Sequence, residues 1–283
     1  MGKVMNAVVL NADLDAGRDY EMGKYLPANH VWRHPHLGVT TVPVPSIREP
    51  DDVILEVIST SICGTDLHIS ESDEADYVRF SGNAKLPVII GHEFVGRVVE
   101  KGSQAPELDA GHVVAVESIQ SCKTCSSCRN GDLNQCQRVE LLGLTVDGAL
   151  ARYVRVKAHH CHRIDALIEK YGFRFGTEIG TLLEPVGCAF NGLFVGPGGN
   201  QWPGVKPSDH VVVLGAGPIG LAAIALARAM GASSITAFDQ TDERVALAKA
   251  LGAHRAFNVG RPHISNRSQV RLNERTWIQI SRQ

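Results

Sequence analysis

The 283-residue sequence predicts a mixed α/β chain built in successive parts. Short apolar strands recur between turns from Val53 to Val156, the spacing of a partly open antiparallel β-barrel. After residue 205 the pattern changes to a continuous apolar strand, a glycine-rich turn and an Ala-rich helix, as in a doubly wound parallel sheet. The stretch Gly196-Pro197-Gly198-Gly199-Asn200-Gln201-Trp202-Pro203-Gly204 separates the two patterns and reads as a linker. Expected units are therefore 1–195, 205–257 and a tail, 258–283.

In the first unit, Val4 to Leu10 reads as a strand, followed by a polar, His-rich stretch to Leu37 with no assignable period. Further strands are expected at Ile54 to Ile58, Phe94 to Val99, His112 to Val116 and Ala149 to Val156. After Glu178 the pattern becomes helical through Phe194. Beyond the linker, Val211 to Leu214 reads as a buried strand, Leu221 to Met230 as a helix closed by Gly231, Ser234 to Phe238 as a second strand and Glu243 to Leu251 as a second helix. A third strand is expected around Ala256.

Composition narrows the function. The chain is 44% apolar and 20% charged, with a net charge of -2, which gives no reason to expect nucleic acid or a membrane surface as partner. No apolar run approaches the roughly 20 residues of a membrane span, and the N-terminus lacks a signal-peptide pattern, so a cytoplasmic location is expected. Seven cysteines in that compartment read as metal ligands or buried thiols rather than disulfides.

Three constellations carry chemistry. Gly91-His92-Glu93 sits between Val88-Ile89-Ile90 and Phe94-Val95. An imidazole and a carboxylate in so apolar a setting need a partner, and a divalent metal serves both. Cys63, at the end of another strand in Ser61-Ile62-Cys63-Gly64-Thr65-Asp66-Leu67-His68, supplies a third ligand. Three protein ligands and an open position describe a catalytic zinc. Taken alone, His92-Glu93 reads rather as a core histidine beside a surface glutamate, and the other motifs of the chain reverse that reading.

The second constellation is Cys122-x-x-Cys125-x-x-Cys128-x7-Cys136. Four thiolates on one loop fill a tetrahedral zinc, leaving a closed, structural site. A nucleic-acid-binding finger is the rival, but no histidine pair, recognition helix or basic cluster follows. Cys161 and Cys188 are left as buried or half-exposed thiols.

The third is Gly215-Ala216-Gly217-Pro218-Ile219-Gly220 between a strand and a helix, the G-x-G-x-x-G context of a Rossmann dinucleotide site. Asp239 ends the next strand, where a carboxylate accepts from ribose hydroxyls and repels a 2′-phosphate. The alternative is that Asp239 caps the following helix. Arg244, one helical turn onward, is the first cation in reach, so NAD is expected over NADP.

With Leu183-Glu184-Pro185 added, these motifs occur in an order and spacing that resemble the zinc-dependent medium-chain dehydrogenases over residues 4 to about 257. Glu184-Pro185, where the ethanol-oxidising branch has a cysteine, is more similar to the polyol, cyclitol and threonine branch. Ser72 to Tyr77, Leu142-Gly143-x-x-Val146-Asp147-Gly148-Ala149 and Gly198-Gly199 look most like the cyclitol (scyllo-inosose) dehydrogenases. The resemblance implies a GroES-like catalytic domain followed by a Rossmann NAD-binding domain. It implies catalytic zinc at Cys63, His92 and Glu93, with Glu184 ligating the metal or holding its water, and a proton relay through Thr65 and His68. The alternative for His68 is a solvated turn histidine. It also implies hydride transfer between NAD and a small alcohol or ketone, and homo-oligomers.

From Asn258 on, the sequence loses its apolar period. The last 26 residues carry five Arg and one Glu, a charge of +4 against -6 for the rest. A foreign tail is expected, as from a frameshift, a splice variant or a truncated frame. The second Rossmann half and the subunit-pairing strand are then missing, and an inactive zinc-binding homologue is the alternative function.

Overall fold

The computed structural model describes residues 2–15, 27–195 and 204–260. Their contacts divide into two compact units, one ending at Glu184 and the next beginning at Pro185. This break precedes the expected linker, whose residues 196–203 lie outside the described ones. It falls there because Ala189 and Leu193 pack with Val205, Val211 and Val213 of the second unit.

In chain order the first unit comprises β1 (Val4–Leu14), a single turn α1 (Ala28–Val31), β2 (Trp32–Pro43), β3 (Asp52–Ser61), α2 (Gly64–Ser70), β4 (Val88–Ile89), β5 (Glu93–Lys101), β6 (Val113–Val116), β7 (Ile119–Gln120), α3 (Ser126–Arg129), β8 (Glu140–Leu141), β9 (Tyr153–Lys157) and β10 (Cys161–Arg163). Helices α4 (Asp165–Tyr171) and α5 (Phe173–Thr181) follow, and α6 (Leu183–Phe190) crosses into the second unit. The strands form a five-stranded sheet of order β10-β6-β5-β3-β9, a three-stranded sheet β2-β1-β4 and a ribbon β7-β8. Every pairing in these three sheets is antiparallel. Their alternation is the expected period of two: Val53 and Leu55, Phe94 and Val98, Val114 and Val116, Val154 and Val156 share one core.

Two elements differ from the sequence reading. The unassigned His-rich stretch, whose residues 16–26 lie outside the described ones, ends in β2 from Trp32 on, in register with β1 from Val4↔Pro43 to Leu14↔Trp32. It is an edge strand, largely exposed, and Val39 is 75% accessible, so no apolar alternation marks it. Helical structure begins at Asp165, ahead of the expected Glu178, because α5 buries Gly176, Thr177, Gly180 and Thr181 rather than large apolar side chains. At Gly180 a Cβ would lie 2.6 Å from a Val95 methyl, so only glycine lets the helix come this close to β5. Pro185 falls in the first turn of α6, where its missing N–H has no intrahelical partner to lose.

In the second unit β11 (His210–Leu214), α7 (Pro218–Ala229), β12 (Ser234–Asp239), α8 (Asp242–Ala250) and β13 (Arg255–Asn258) form a parallel sheet of order β11-β12-β13. Val211 pairs with Ile235 and Ala237 with Ala256. Both helices start slightly earlier than expected, α7 because Pro218 is preorganised for a first helical turn. Residues 261–283, most of the expected tail, lie outside the described ones.

Candidate functional site

Strand register builds the first constellation. Antiparallel pairing sets Ser61 of β3 opposite Glu93 of β5, so Cys63, two residues beyond the end of β3, lies beside His92. The ligand atoms of Cys63, His92 and Glu93 all lie within 4.8 Å of one another, and His92 and Glu93 are each 6% exposed. Cys63 N-caps α2. There the Asp66 carboxylate accepts the Cys63 N–H at 2.9 Å, completing a capping box.

Asp66, 2% exposed, is the residue the sequence reading missed. Its other oxygen accepts the Gly91 N–H at 3.1 Å and stands 3.5 Å from His92 Nδ1, so one carboxylate spans both ligand-bearing segments. An acid three residues after the cap was the available signal. Ser61 was missed too: its hydroxyl donates to Glu93 Oε2 at 2.5 Å, orienting the carboxylate.

This donor set suits a cation. Burial opposes charge on His92, yet Asp66 and Cys63 override it and raise the imidazole to about 10. Even so, Asp66 at 3.5 Å is beyond a full hydrogen bond, and Nδ1 has no closer partner. One sulfur, one imidazole and one carboxylate are the ligand types zinc takes at an open site.

The remaining expected residues fall around this cluster unevenly. The Thr65 hydroxyl is 3.6 Å from Cys63 Sγ. His68 lies on α2 with its side chain 47% exposed and Nδ1 3.9 Å from Glu71. Glu184, in the first turn of α6, accepts from the Ser118 hydroxyl at 2.6 Å and is not among the converging ligand atoms.

The second constellation hangs from the β7–β8 ribbon. The sulfurs of Cys122, Cys125, Cys128 and Cys136 lie within 4.8 Å of one another, with Cys122–Cys128 at 4.0 Å and Cys125–Cys136 at 3.9 Å. A tetrahedron with metal–sulfur bonds of about 2.3 Å has edges of about 3.8 Å. Backbone N–H groups of Cys122 and Arg138 donate to Cys136 Sγ at 3.3 Å, and Cys125 N–H donates to Cys122 Sγ at 3.4 Å. So close together the thiols split. N–H and hydroxyl groups of Thr124 and Cys125 bring Cys122 down to about 5, while burial and neighbouring sulfurs push Cys128 up to about 12. A divalent cation removes that conflict by accepting all four as thiolates. Cys161 is driven up to about 12 by burial, and Cys188 is exposed.

The glycine turn leads into α7, with Gly217 as N-cap and Pro218 behind it. A Cβ on Gly220 would meet the Gly215 carbonyl oxygen at 1.9 Å, so helix and turn pack backbone to backbone. Asp239 is buried, not a surface cap; Thr241 caps α8 instead. Its carboxylate accepts from Ala216 N–H at 2.7 Å, Gln240 N–H at 2.7 Å and Thr241 N–H at 3.1 Å. Burial pushes its pKa up, but these donors, joined by Arg244 at 3.7 Å, hold it below the usual carboxylate range.

Comparison with known proteins places these features in one lineage. The alcohol dehydrogenase GroES-like domain matches residues 49–166, and the zinc-binding dehydrogenase domain matches 218–275, running past residue 257. The scyllo-inosose 3-dehydrogenase of Thermotoga maritima is 37% identical over 88% of this chain and 65% of its own length. The L-threonine 3-dehydrogenase of Pyrococcus abyssi is 37% identical over 74% of this chain and 55% of its own. The chain thus spans less than two thirds of the length of these relatives. A solved structure assigned as an alcohol dehydrogenase of Thermotoga maritima superposes with a TM-score of 0.84, at 34% identity, over 92% of this chain and 68% of that one. Two further dehydrogenase structures, at TM-scores of 0.69, carry dinucleotides: NADP in a Sinorhizobium meliloti protein (26% identity, 90% of this chain, 62% of that one) and NADH in an Escherichia coli protein (25%, 93% and 65%). With its two domain matches in sequence order and its fold shared, the chain belongs to the zinc-dependent medium-chain dehydrogenases.

Proposed function

We propose that the protein is an NAD-preferring dehydrogenase that moves a hydride between the dinucleotide and a secondary alcohol of a polyol or cyclitol. The convergence of Cys63, His92 and Glu93 within 4.8 Å carries this reading. Zinc bound there supplies the Lewis acidity that lets the alcohol release its proton. Thr65, beside Cys63, receives that proton and His68, on the exposed side of α2, passes it to solvent. Glu184, held by Ser118, would either ligate the metal or hold its water. The four-cysteine loop holds a second, structural zinc.

Gly215, Gly217, Pro218, Ile219 and Gly220 seat the pyrophosphate at the start of α7. Asp239 takes the adenosine ribose, with Arg244 beside it. A 2′-phosphate facing that carboxylate suffers like-charge repulsion, so NAD binds at least about tenfold more tightly than NADP. A cytoplasmic location accords with the absence, among the described residues, of any helix long and apolar enough to cross a membrane. L-threonine is the second substrate reading, favoured by threonine dehydrogenase relatives at 36–37% identity.

Elemental analysis, calorimetric titration with both dinucleotides and a turnover panel test the proposal together. The expected result is about two zinc ions per chain, tighter NAD binding, and oxidation of cyclitols or polyols ahead of L-threonine. One zinc or none overturns the metal assignment, tighter NADP binding overturns the role of Asp239, and preferred oxidation of threonine moves the substrate class.

A further inference from the structure

The segment Leu142 to Leu150 touches neither set of metal ligands in the sequence, yet it encloses the backbone that carries His92. Gly148 N–H donates to Ile89 O at 2.7 Å, Ala149 N–H to Gly91 O at 2.9 Å and Leu150 N–H to Ile90 O at 2.9 Å, so three consecutive donors grip three consecutive carbonyls. In return the Asp147 carboxylate accepts the Ile89 N–H at 3.1 Å. The fit is backbone against backbone. A Cβ on Gly148 would lie 2.0 Å from the Gly91 carbonyl oxygen, and one on Gly143 would lie 2.8 Å from the Gly91 nitrogen. Gly91 itself has φ +94, and a Cβ there would meet Leu150 at 2.8 Å. On its other side, the Gly91 N–H is taken by Asp66.

Gly91 is thus held from two directions immediately before His92, while Glu93 is fixed by its pairing with Ser61. β4 ends at Ile89 and β5 begins only at Glu93, so the backbone between them that carries His92 is held by this segment together with Asp66 and the Val8 carbonyl, which accepts the Ile90 N–H at 3.3 Å. We propose that the Leu142–Leu150 segment is a positioning clamp for His92: Gly143 and Gly148 admit Gly91, Asp147 anchors Ile89, and together they set the imidazole of the open metal site. The inference rests on the reading of Cys63, His92 and Glu93 as metal ligands. Its residues act through Ile89 and Gly91, and none of them is among the converging ligand atoms.

Gly148→Ala separates this role from ordinary folding. Position 148 does not need a left-handed backbone, so the added methyl acts chiefly by displacing Gly91. Gly111→Ala is the control: Gly111 has φ +98, but nothing lies within 4 Å of its Cβ position, so it takes backbone strain without touching Gly91. Asp147→Ala is the milder variant should Gly148→Ala fail to fold, with Asp147→Asn as its conservative rescue.

The probe is cobalt(II), titrated into full chain whose four-cysteine loop retains zinc, and read by its visible d–d bands and by competition with a chelator. Gly148→Ala and Asp147→Ala are expected to weaken cobalt at the open site by about tenfold or more and to shift its bands, as outer partners of metal ligands do. Gly111→Ala and Asp147→Asn are expected to retain the parent spectrum, and zinc in the closed loop is expected to be unchanged throughout. Identical spectra and affinities for parent, Gly148→Ala and Asp147→Ala overturn the clamp, as does a parallel loss at both metal sites. Failure of the unmutated chain to bind cobalt outside the four-cysteine loop instead overturns the ligand assignment beneath it.

Discussion

The closed and open constellations of the first unit gather their donors on opposite plans. The closed one draws four sulfurs from a single loop, Cys122 to Cys136, hung on a two-residue ribbon. Its buried cluster is little more than the cysteines themselves with Leu133 and Val139. The open one draws from two segments that strand pairing aligns, and its supports, Asp66, Ser61 and the clamp around Gly91, are hydrogen-bonded to the segments that carry the ligands. On the proposed two-zinc reading, a loop with so little core would need its metal to fold, whereas a site built into a sheet would be preorganised for its metal.

The sharpest way to break this contrast is Cys128→Ser. It should remove the closed-loop zinc and a sizeable part of the roughly 10–16 kcal/mol with which such sites hold it, and calorimetry should show a large drop in melting temperature. Cobalt binding at the open site should survive in whatever fraction remains folded. Unchanged thermal stability would show that the loop folds without its metal, and the contrast would fall.

A smaller effect is expected at the open site. Asp66→Ala removes the cap of α2, the anchor of Gly91 and the partner of His92 at once. Metal affinity there should fall about 10–100-fold, or roughly 1.4–2.8 kcal/mol, while the closed site keeps its zinc. Chelator competition read separately at the two sites would reveal a joint loss, which would mean that they are not independent.

The smallest effect concerns how the closed loop is tied to the sheet. The Ser121 N–H, next to Cys122, donates to Nε2 of the buried His160, whose Nδ1 lies 2.6 Å from Glu117. The hydrogen bond with His160, against the cost of burial, holds Glu117 down to about 2. A carboxylate whose folded pKa is depressed contributes stability above its unfolded value near 4.5, and that contribution is lost as pH falls toward 2. Glu117→Gln should therefore cost about 1 kcal/mol at pH 7, kept small by the half-exposed carboxylate. The difference from the parent, measured by urea unfolding, should shrink to nothing near pH 2. A difference that persists at acid pH would assign the loss to packing rather than to charge.

The same contrast explains what could be read from the sequence. The four-cysteine loop was legible because all its ligands lie within one short stretch. So was the dinucleotide turn, where Gly215 to Gly220 sits between a strand and a helix. Cys63, His92 and Glu93 could be named as one set from their donor types and the family resemblance, but the register that brings them together belongs to strand pairing and is written in no motif. Asp66 stayed hidden because an acid three residues into a helix ordinarily serves only as a cap. β2 and α5 escaped for a different reason. One exposes most of its side chains and the other buries glycine and threonine, so neither shows the apolar period that marks an element.

Asp239 carries one more consequence. Its carboxylate satisfies three main-chain donors, one of them inside the glycine turn itself. The residue proposed to choose between dinucleotides is thus also a keystone of the turn proposed to receive them. Replacing it to admit a 2′-phosphate would orphan the Ala216 N–H at a cost of about 1–3 kcal/mol, loosening the phosphate cradle in the same step. A lineage drifting toward NADP would do better to leave Asp239 in place and recruit a cation at Gln240, its exposed neighbour, where the charge could change without unpicking the turn.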